Sequence, residues 1–314
     1  MILVTGCTGY LGFHICEYLK EKRIPFFGID NLSRSDKKNI IDKRRFLKLD
    51  INSKKIPFIL IKKNISTVIH AAAFSFPPES EDNKKIYFNN NILKTKKFID
   101  YCSKNKIRKF IFFSSSNVYN FESKKIKAVK ENQRLRPLNY YGKTKLSIEN
   151  YIKKNFKDFY ILRLFNIAGY INKKDFYEYK GKYRRIFPVI NESSRKKIQF
   201  TINLLQSKNK TIFPSRDFVH IKDFLEIISR VLNEKKQNKS ILNIGNNKLI
   251  NLAKIIKNFE KRLSKRIQYK KKVLSKGNLN YTLCNNSKIK KKLNFKFKYN
   301  LDDIVKSCLN KKII

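Results

Sequence analysis

Tryptophan is absent from this sequence, and methionine occurs only at the first position. Glycine is scarce at nine residues and proline at seven in a chain of 314. That excludes collagen-like and Gly/Pro-rich disordered classes and leaves no linker to divide the chain. The five cysteines (Cys7, Cys16, Cys102, Cys284, Cys308) are odd in number, widely spaced and free of any C-x-x-C pair. The pattern argues against a disulfide framework and a zinc site, so no metal is expected. No apolar run approaches the roughly 20 residues of a membrane span. Met1 leads straight into Ile2-Leu3-Val4 with no basic-then-apolar segment, and the expectation is a cytoplasmic protein with no membrane partner.

Acidic residues are few as well: 24 against 72 basic ones, a formal net charge of +48. Lysines and arginines fall in every segment, from Lys37-Lys38 through Arg195-Lys196-Lys197 to Lys290-Lys291-Lys292. A nucleic-acid module concentrates such residues on one groove or helix. Asn, Ile, Phe and Tyr are abundant too, the residues that AT-rich codons specify. Compositional drift therefore accounts for the excess. General polyanion affinity stays open, and no dedicated nucleic-acid partner is expected.

What is present is globular: 41% hydrophobic and 13% aromatic residues. Short apolar runs at Ile2–Thr5, Pro25–Asp30, Arg45–Leu49, Thr67–His70, Lys109–Phe113 and Phe159–Leu162 alternate with amphipathic stretches near 10–21, 54–62, 84–104 and 139–154. Strands alternating with helices predict an α/β fold, a doubly wound parallel sheet of the Rossmann type. After about residue 169 the rhythm breaks, with a further strand–helix pair near 241–263. A smaller C-terminal mixed α/β region, packed over the carboxyl edge of the sheet where ligands bind, is expected.

Three of the nine glycines lie within seven positions, in Thr5-Gly6-Cys7-Thr8-Gly9-Tyr10-Leu11-Gly12. This G-x-x-G-x-x-G turn follows the first strand and opens a helix. Glycines permit a sharp turn and close approach of a pyrophosphate, and the helix N-terminus offers unpaired N–H groups. Eighteen residues past Gly12 the second strand ends at Asp30-Asn31. A carboxylate there accepts hydrogen bonds from the adenosine ribose and repels a 2′-phosphate, so NAD is expected over NADP, although Arg34 lies close by. Asp50-Ile51 suits an adenine-binding strand end, and Ala71-Ala72-Ala73 leaves room for a cofactor at the fourth.

Strand five ends in Ser114-Ser115-Ser116-Asn117-Val118-Tyr119, and Tyr140-Tyr141-Gly142-Lys143-Thr144-Lys145 opens a helix. Tyr141 and Lys145, four apart, share a helical face. An ammonium beside a tyrosine favours its phenolate, which can exchange a proton with a substrate hydroxyl, and a serine can complete the pair.

With these motifs on one chain, the sequence resembles the extended short-chain dehydrogenase/reductases, specifically the NAD-dependent nucleotide-sugar epimerases, and among them the UDP-galactose 4-epimerases. Asn89-Asn90-Asn91-Ile92-Leu93-Lys94-Thr95 is similar to the family's N-N-V-x-G-T helix and Leu162-Arg163-Leu164-Phe165-Asn166 to L-R-Y-F-N. Arg216-Asp217-Phe218-Val219-His220 is similar to R-D-Y-V-H, and Asn243-Ile244-Gly245 to N-I-G. The resemblance implies Tyr141 as general base, Lys145 on the nicotinamide ribose and Ser115 as second hydroxyl. It also puts Asn91 and Phe165 at the cofactor, with Asn166 and Arg216 on the UDP diphosphate. The implied reaction removes hydride from the sugar C4 to give a 4-keto intermediate and returns it to the other face.

Ser116 and Asn117 stand where dehydratases and decarboxylases of the family carry carboxylic acids, so those reactions are not expected. Departures concern the substrate side. Arg185 replaces an asparagine, Ser75 falls near a family lysine, and Ser275-Lys276-Gly277-Asn278 replaces R-x-G-D. Thr282 stands where the family limits space around the hexose 2-substituent, so a UDP-N-acetylhexosamine is an alternative substrate. UDP-glucuronate, an oxidoreductase on another nucleotide sugar, and a non-catalytic NAD-binding protein are further alternatives. The expected boundaries are 1–168 for the NAD-binding domain, with a returning segment at about 217–246, and 169–216 with 247–314 for the substrate-binding region. The resemblance also implies a homodimer through 84–104 and 139–154.

Overall fold

The computed structural model describes residues 1–121, 126–171, 175–179, 181, 184–196, 198–207, 210–274 and 281–309. The expected alternation is present in its first half: β1 (Ile2–Thr5), α1 (Tyr10–Glu21), β2 (Phe26–Asp30), β3 (Phe46–Lys48), α2 (Ile56–Lys62) and β4 (Thr67–His70). Then come α3 (Pro77–Asp82), α4 (Lys84–Tyr87), α5 (Thr95–Lys104), β5 (Lys109–Ser115), α6 (Tyr140–Asn155), β6 (Phe159–Leu164) and β7 (Asn166–Ala168). The stretch 84–104 is not one α-helix. A π-helical segment, Phe88–Lys94, separates α4 from α5.

The second half contains α7 (Ile186–Lys196), β8 (Phe200–Ser207), β9 (Lys210–Ile212), β10 (Ser215–His220), α8 (Ile221–Asn233), β11 (Lys239–Ile244) and β12 (Leu249–Asn251). It ends with α9 (Leu252–Leu263), β13 (Tyr269–Leu274), β14 (Tyr281–Thr282), α10 (Ser287–Leu293) and α11 (Leu301–Leu309).

Seven strands form one sheet in the order β11-β6-β5-β4-β1-β2-β3, and every pairing in it is parallel. The order reverses between β1 and β4, which opens a crevice at their carboxyl ends. Strands β1, β5 and β6 are buried along their whole length, as continuous apolar runs are when helices cover both faces. On one face Ile15, Leu19, Phe224 and Ile228 of α1 and α8 pack on Val4, Ile111 and Leu162. On the other, Ile56, Leu60, Phe98, Cys102 and Ile148 of α2, α5 and α6 pack on Leu3, Val68 and Phe110.

The stretch at about 217–246 supplies β11 to the central sheet and α8 to its cover. Its opening strand, β10, lies outside the central sheet and pairs with β7, β12 and β14. Among the described residues, no helix is long and apolar enough to cross a membrane, and no His/Cys/Asp/Glu cluster could hold a metal. All five cysteines are free and buried.

Candidate active site

The glycine turn lies between β1 and α1 at the sheet's reversal point. Gly6 has φ +65°, and a Cβ there would stand 2.7 Å from the Ala72 backbone nitrogen, so neither conformation nor space admits a side chain. A Cβ on Gly12 would stand 2.0 Å from the Gly6 carbonyl oxygen, so this glycine lets α1 seat on its own turn. At Gly9 the nearest atom to such a Cβ is the Gly6 oxygen at 3.4 Å. A Cβ there would make only an ordinary contact.

An open cleft lies over the turn. Gly6, Gly9, Asp30, Asn31, Asp50, Ile51, Ala71, Ala72 and Ala73 line it, together with Arg34, Phe74 and Asn90. Asp30 accepts the Thr8 N–H at 3.2 Å and the Leu32 N–H at 2.8 Å. Asp50 accepts from Lys94 at 2.7 Å and from Asn31 at 2.9 Å. Burial alone would raise the Asp50 carboxyl, but these hydrogen bonds outweigh it and hold the pKa below its usual value.

Other expected cofactor residues do not line this cleft. Asn91 turns inward from the π-helical segment, and its amide bonds the Phe74 backbone N–H and carbonyl, each at 2.9 Å. Its neighbour Asn90 faces the cleft instead. Tyr10 and Leu11 point away from it: Leu11 packs on the core, and the Tyr10 hydroxyl donates to the Gly169 carbonyl at 2.5 Å. Phe165 packs among Phe121 and Tyr281.

The three residues expected to be catalytic meet at the carboxyl end of β5. Asn139 caps α6 by accepting the Gly142 N–H at 2.8 Å. A Cβ on Gly142 would come within 2.2 Å of the Asn117 carbonyl oxygen, so glycine allows α6 to start directly against the serine-rich loop. Tyr141 is buried, and the nearby Ser115 hydroxyl favours its phenolate. The Ser115 hydroxyl oxygen accepts the Asn117 backbone N–H at 3.2 Å and its side-chain N–H at 3.0 Å. Both bonds leave its own proton free to donate toward Tyr141, which opposes the rise of the phenol's pKa.

The downward shift expected for Tyr141 does not prevail. Burial pushes it up to about 12, with the Ser115 hydrogen bond only partly opposing. The Lys145 ammonium lies 5.7 Å from the Tyr141 ring centroid and donates to the Phe113 carbonyl at 2.8 Å. Burial brings Lys145 itself down to about 7, against the pull of Glu149. For each group its own loss of hydration outweighs the neighbour that opposes it, Ser115 for Tyr141 and Glu149 for Lys145.

The expected substrate residues come from a second cluster of strands. Arg216 on β10 is in register with Thr282 on β14, and Asn166 on β7 donates to the Asp217 carbonyl at 3.0 Å. Among the described residues no carboxylate pairs with Arg216. Its guanidinium donates to the Ser215 carbonyl at 2.9 Å, and burial lowers its pKa to about 10. The Thr282 hydroxyl is buried and unpartnered among the described residues. A half-buried cation beside a buried free hydroxyl suits an anionic ligand. Arg185 is occupied elsewhere: it stacks 3.3 Å over the Tyr10 ring and pairs with Glu178. The expected stand-in Lys276 lies outside the described residues.

The family model described as the NAD dependent epimerase/dehydratase family matches residues 2–245. The chain belongs to that family. A putative UDP-glucose 4-epimerase of Methanocaldococcus jannaschii is 31% identical over 79% of this chain and 77% of its own. A UDP-N-acetylglucosamine 4-epimerase of Methanobrevibacter ruminantium, solved with UDP-N-acetylmuramic acid, is 25% identical with TM-score 0.82, covering 97% of this chain and 96% of its own. The UDP-glucose 4-epimerase of Brucella ovis, solved with NAD, shares the fold at TM-score 0.88 and 21% identity, covering 98% and 97%.

Within this family member, sequence reasoning passed over the groups that hold the site in place. Glu149, one turn beyond Lys145, accepts from Ser114 at 2.5 Å and from Arg163 at 2.9 and 2.7 Å, all fully buried. Arg163 also donates to the Tyr119 hydroxyl at 2.8 Å. Asp217 accepts backbone N–H groups of Asn246, Asn247 and Cys284, tying β10 to the loops after β11 and β14. Burial raises its pKa to about 7. The signal for Glu149 was its i, i+4 spacing from Lys145; nothing local marked its partner Arg163 as buried.

Proposed function

We propose that the chain is an NAD-dependent 4-epimerase of a UDP-hexose, of the UDP-glucose/UDP-galactose type. The observation that carries this reading is the meeting of Ser115, Tyr141 and Lys145 at the end of β5, with a half-buried Arg216 that no described carboxylate neutralises on a separate set of strands. The cleft fits NAD: Gly6 and Gly9 line it with bare backbone, and Asp30 lines it where a ribose would lie. NAD, when bound, supplies a hydride acceptor and donor. Gly6, Gly9, Asp30, Asn31, Asp50, Ile51 and Ala71–Ala73 would hold it.

As phenolate, Tyr141 Oη takes the proton of the sugar 4-hydroxyl to become phenol and later returns it, and a hydrogen bond from Ser115 favours the phenolate form. Burial opposes that phenolate, so positive charge brought into the pocket activates the base. Arg216 and Asn166 hold the diphosphate and leave the hexose free to turn. The small Thr282 favours a second substrate class, UDP-N-acetylhexosamines. Ile86, Phe88 and Leu93 are 49%, 42% and 48% exposed on the 84–104 segment, which supports a homodimer through that segment and α6. Five free buried cysteines support a reducing cytoplasm.

Purified protein incubated with UDP-galactose, UDP-glucose and their N-acetyl forms tests the reading. Interconversion of at least one pair is expected, and Tyr141→Phe should lower kcat by about 100-fold or more. Protein that carries NAD yet epimerises none of them refutes the catalytic reading.

A further inference from the structure

Among the described residues lining the cleft, Arg34 is the one cation, four positions past Asp30. A guanidinium at that place is the group that a phosphate on the adenosine 2′-oxygen would recruit, by bidentate charge-assisted hydrogen bonds. Its charge is already engaged. Arg34 Nη1 lies 2.5 Å from Glu79 Oε2, with the two side chains 21% and 14% exposed. The guanidinium carbon lies 3.6 Å from the centroid of the Phe74 ring.

Glu79 is itself held in position. The Tyr87 hydroxyl lies 2.8 Å from Glu79 Oε2 and 2.9 Å from the Phe76 carbonyl oxygen, and it accepts the Phe76 N–H at 3.1 Å. Tyr87 is fully buried. The carboxylate is thus held by a buried phenol at the same oxygen, Oε2, that meets Arg34, the one cation among the described residues lining the cleft. Asp30, by contrast, already accepts two backbone N–H groups, which soften the field it presents to a phosphate.

We propose that Glu79 is a cofactor-specificity residue. It pairs with Arg34 inside the cleft, withholds the guanidinium from a 2′-phosphate, and fixes it on Phe74 as a flat wall beside the adenosine. Discrimination against NADP then has two parts: Asp30 repels the phosphate, and Glu79 removes the group that would attract it. The inference rests on the cleft being the dinucleotide site.

The test uses Glu79→Gln, which keeps an acceptor for Tyr87 and the side-chain shape. Wild type and variant are incubated with equimolar NAD and NADP until the retained ratio is constant, stripped of free dinucleotide, and analysed by mass spectrometry. The retained NADP:NAD ratio is expected to rise about tenfold or more in Glu79→Gln, and to fall back to the wild-type value in Arg34→Gln/Glu79→Gln. A ratio unchanged within twofold in Glu79→Gln, while wild type retains NAD, overturns this inference alone. A rise that persists in the double variant also overturns it, because long-range charge would then be responsible rather than Arg34. Wild type that retains neither dinucleotide overturns the dinucleotide site and the inference together.

Discussion

Gly9 and Gly12 lie three residues apart in one turn, yet alanine at each should have opposite effects on the fold. At Gly12 the added Cβ would lie 2.0 Å from the Gly6 oxygen and 2.8 Å from the Gly6 carbonyl carbon and the Cys7 Cα. All three are backbone atoms that cannot rotate away, so α1 must withdraw by about 1 Å or the turn must open. Overpacking of this kind costs about 1–3 kcal/mol, and a backbone obstacle puts Gly12→Ala at the upper end. At Gly9 the backbone has φ −74°, which alanine adopts freely, and the nearest obstacle is at 3.4 Å. Restricting the unfolded chain there should leave stability unchanged or raise it by about 0.5 kcal/mol. The same methyl would enter the space over the turn, where a pyrophosphate must touch the backbone. Urea unfolding followed by circular dichroism, with NAD retention on the same preparations, reads both effects. Gly12→Ala should lose stability and NAD together, whereas Gly9→Ala should keep stability and lose NAD. A Gly9→Ala protein with normal NAD retention would show that the open space at Gly9 is not used by a phosphate, and would refute the reasoning for the turn.

Glu149→Gln should destabilise the protein by about 3–5 kcal/mol, because it leaves the Arg163 guanidinium buried against a neutral partner. Glu149→Leu/Arg163→Met should recover most of that in chemical denaturation, and a single variant costing under about 1 kcal/mol would argue against a buried pair. His70 is fully buried against Phe98 and Phe112, and burial lowers its pKa to about 3. Below pH 6.5 the unfolded chain binds a proton there that the folded one does not. Relative to His70→Gln, the wild type should therefore lose about 1.4 kcal/mol per pH unit between pH 6 and 4. Parallel stability–pH curves for the two proteins would contradict this.

The dinucleotide half of the molecule was legible because its chemistry is local. A glycine turn, a carboxylate at the end of β2 and small residues at the end of β4 are each set by a few consecutive residues. The alternation of apolar runs with amphipathic stretches pointed to a parallel sheet, though not to its strand order. Tyr141 and Lys145 were legible too, since one helix carries both. What was misjudged was their electrostatics. Spacing brings an ammonium near a phenol, but burial depends on what α6 packs against, and burial governs both groups.

Sequence alone determined the parallel α/β architecture, the family and the candidate residues at strand ends, because periodicity and turn chemistry act over a few neighbours. Only the tertiary structure decided how those residues are used. It turned Asn91 to the Phe74 backbone and brought Asn90 to the cleft, since a π-helical segment shifts which side chains face inward. It joined Glu149 to Arg163, and Arg34 to Glu79, across 14 and 45 residues of chain. Ion pairs of that kind depend on which surfaces pack together and how much water they exclude, and no local pattern encodes either.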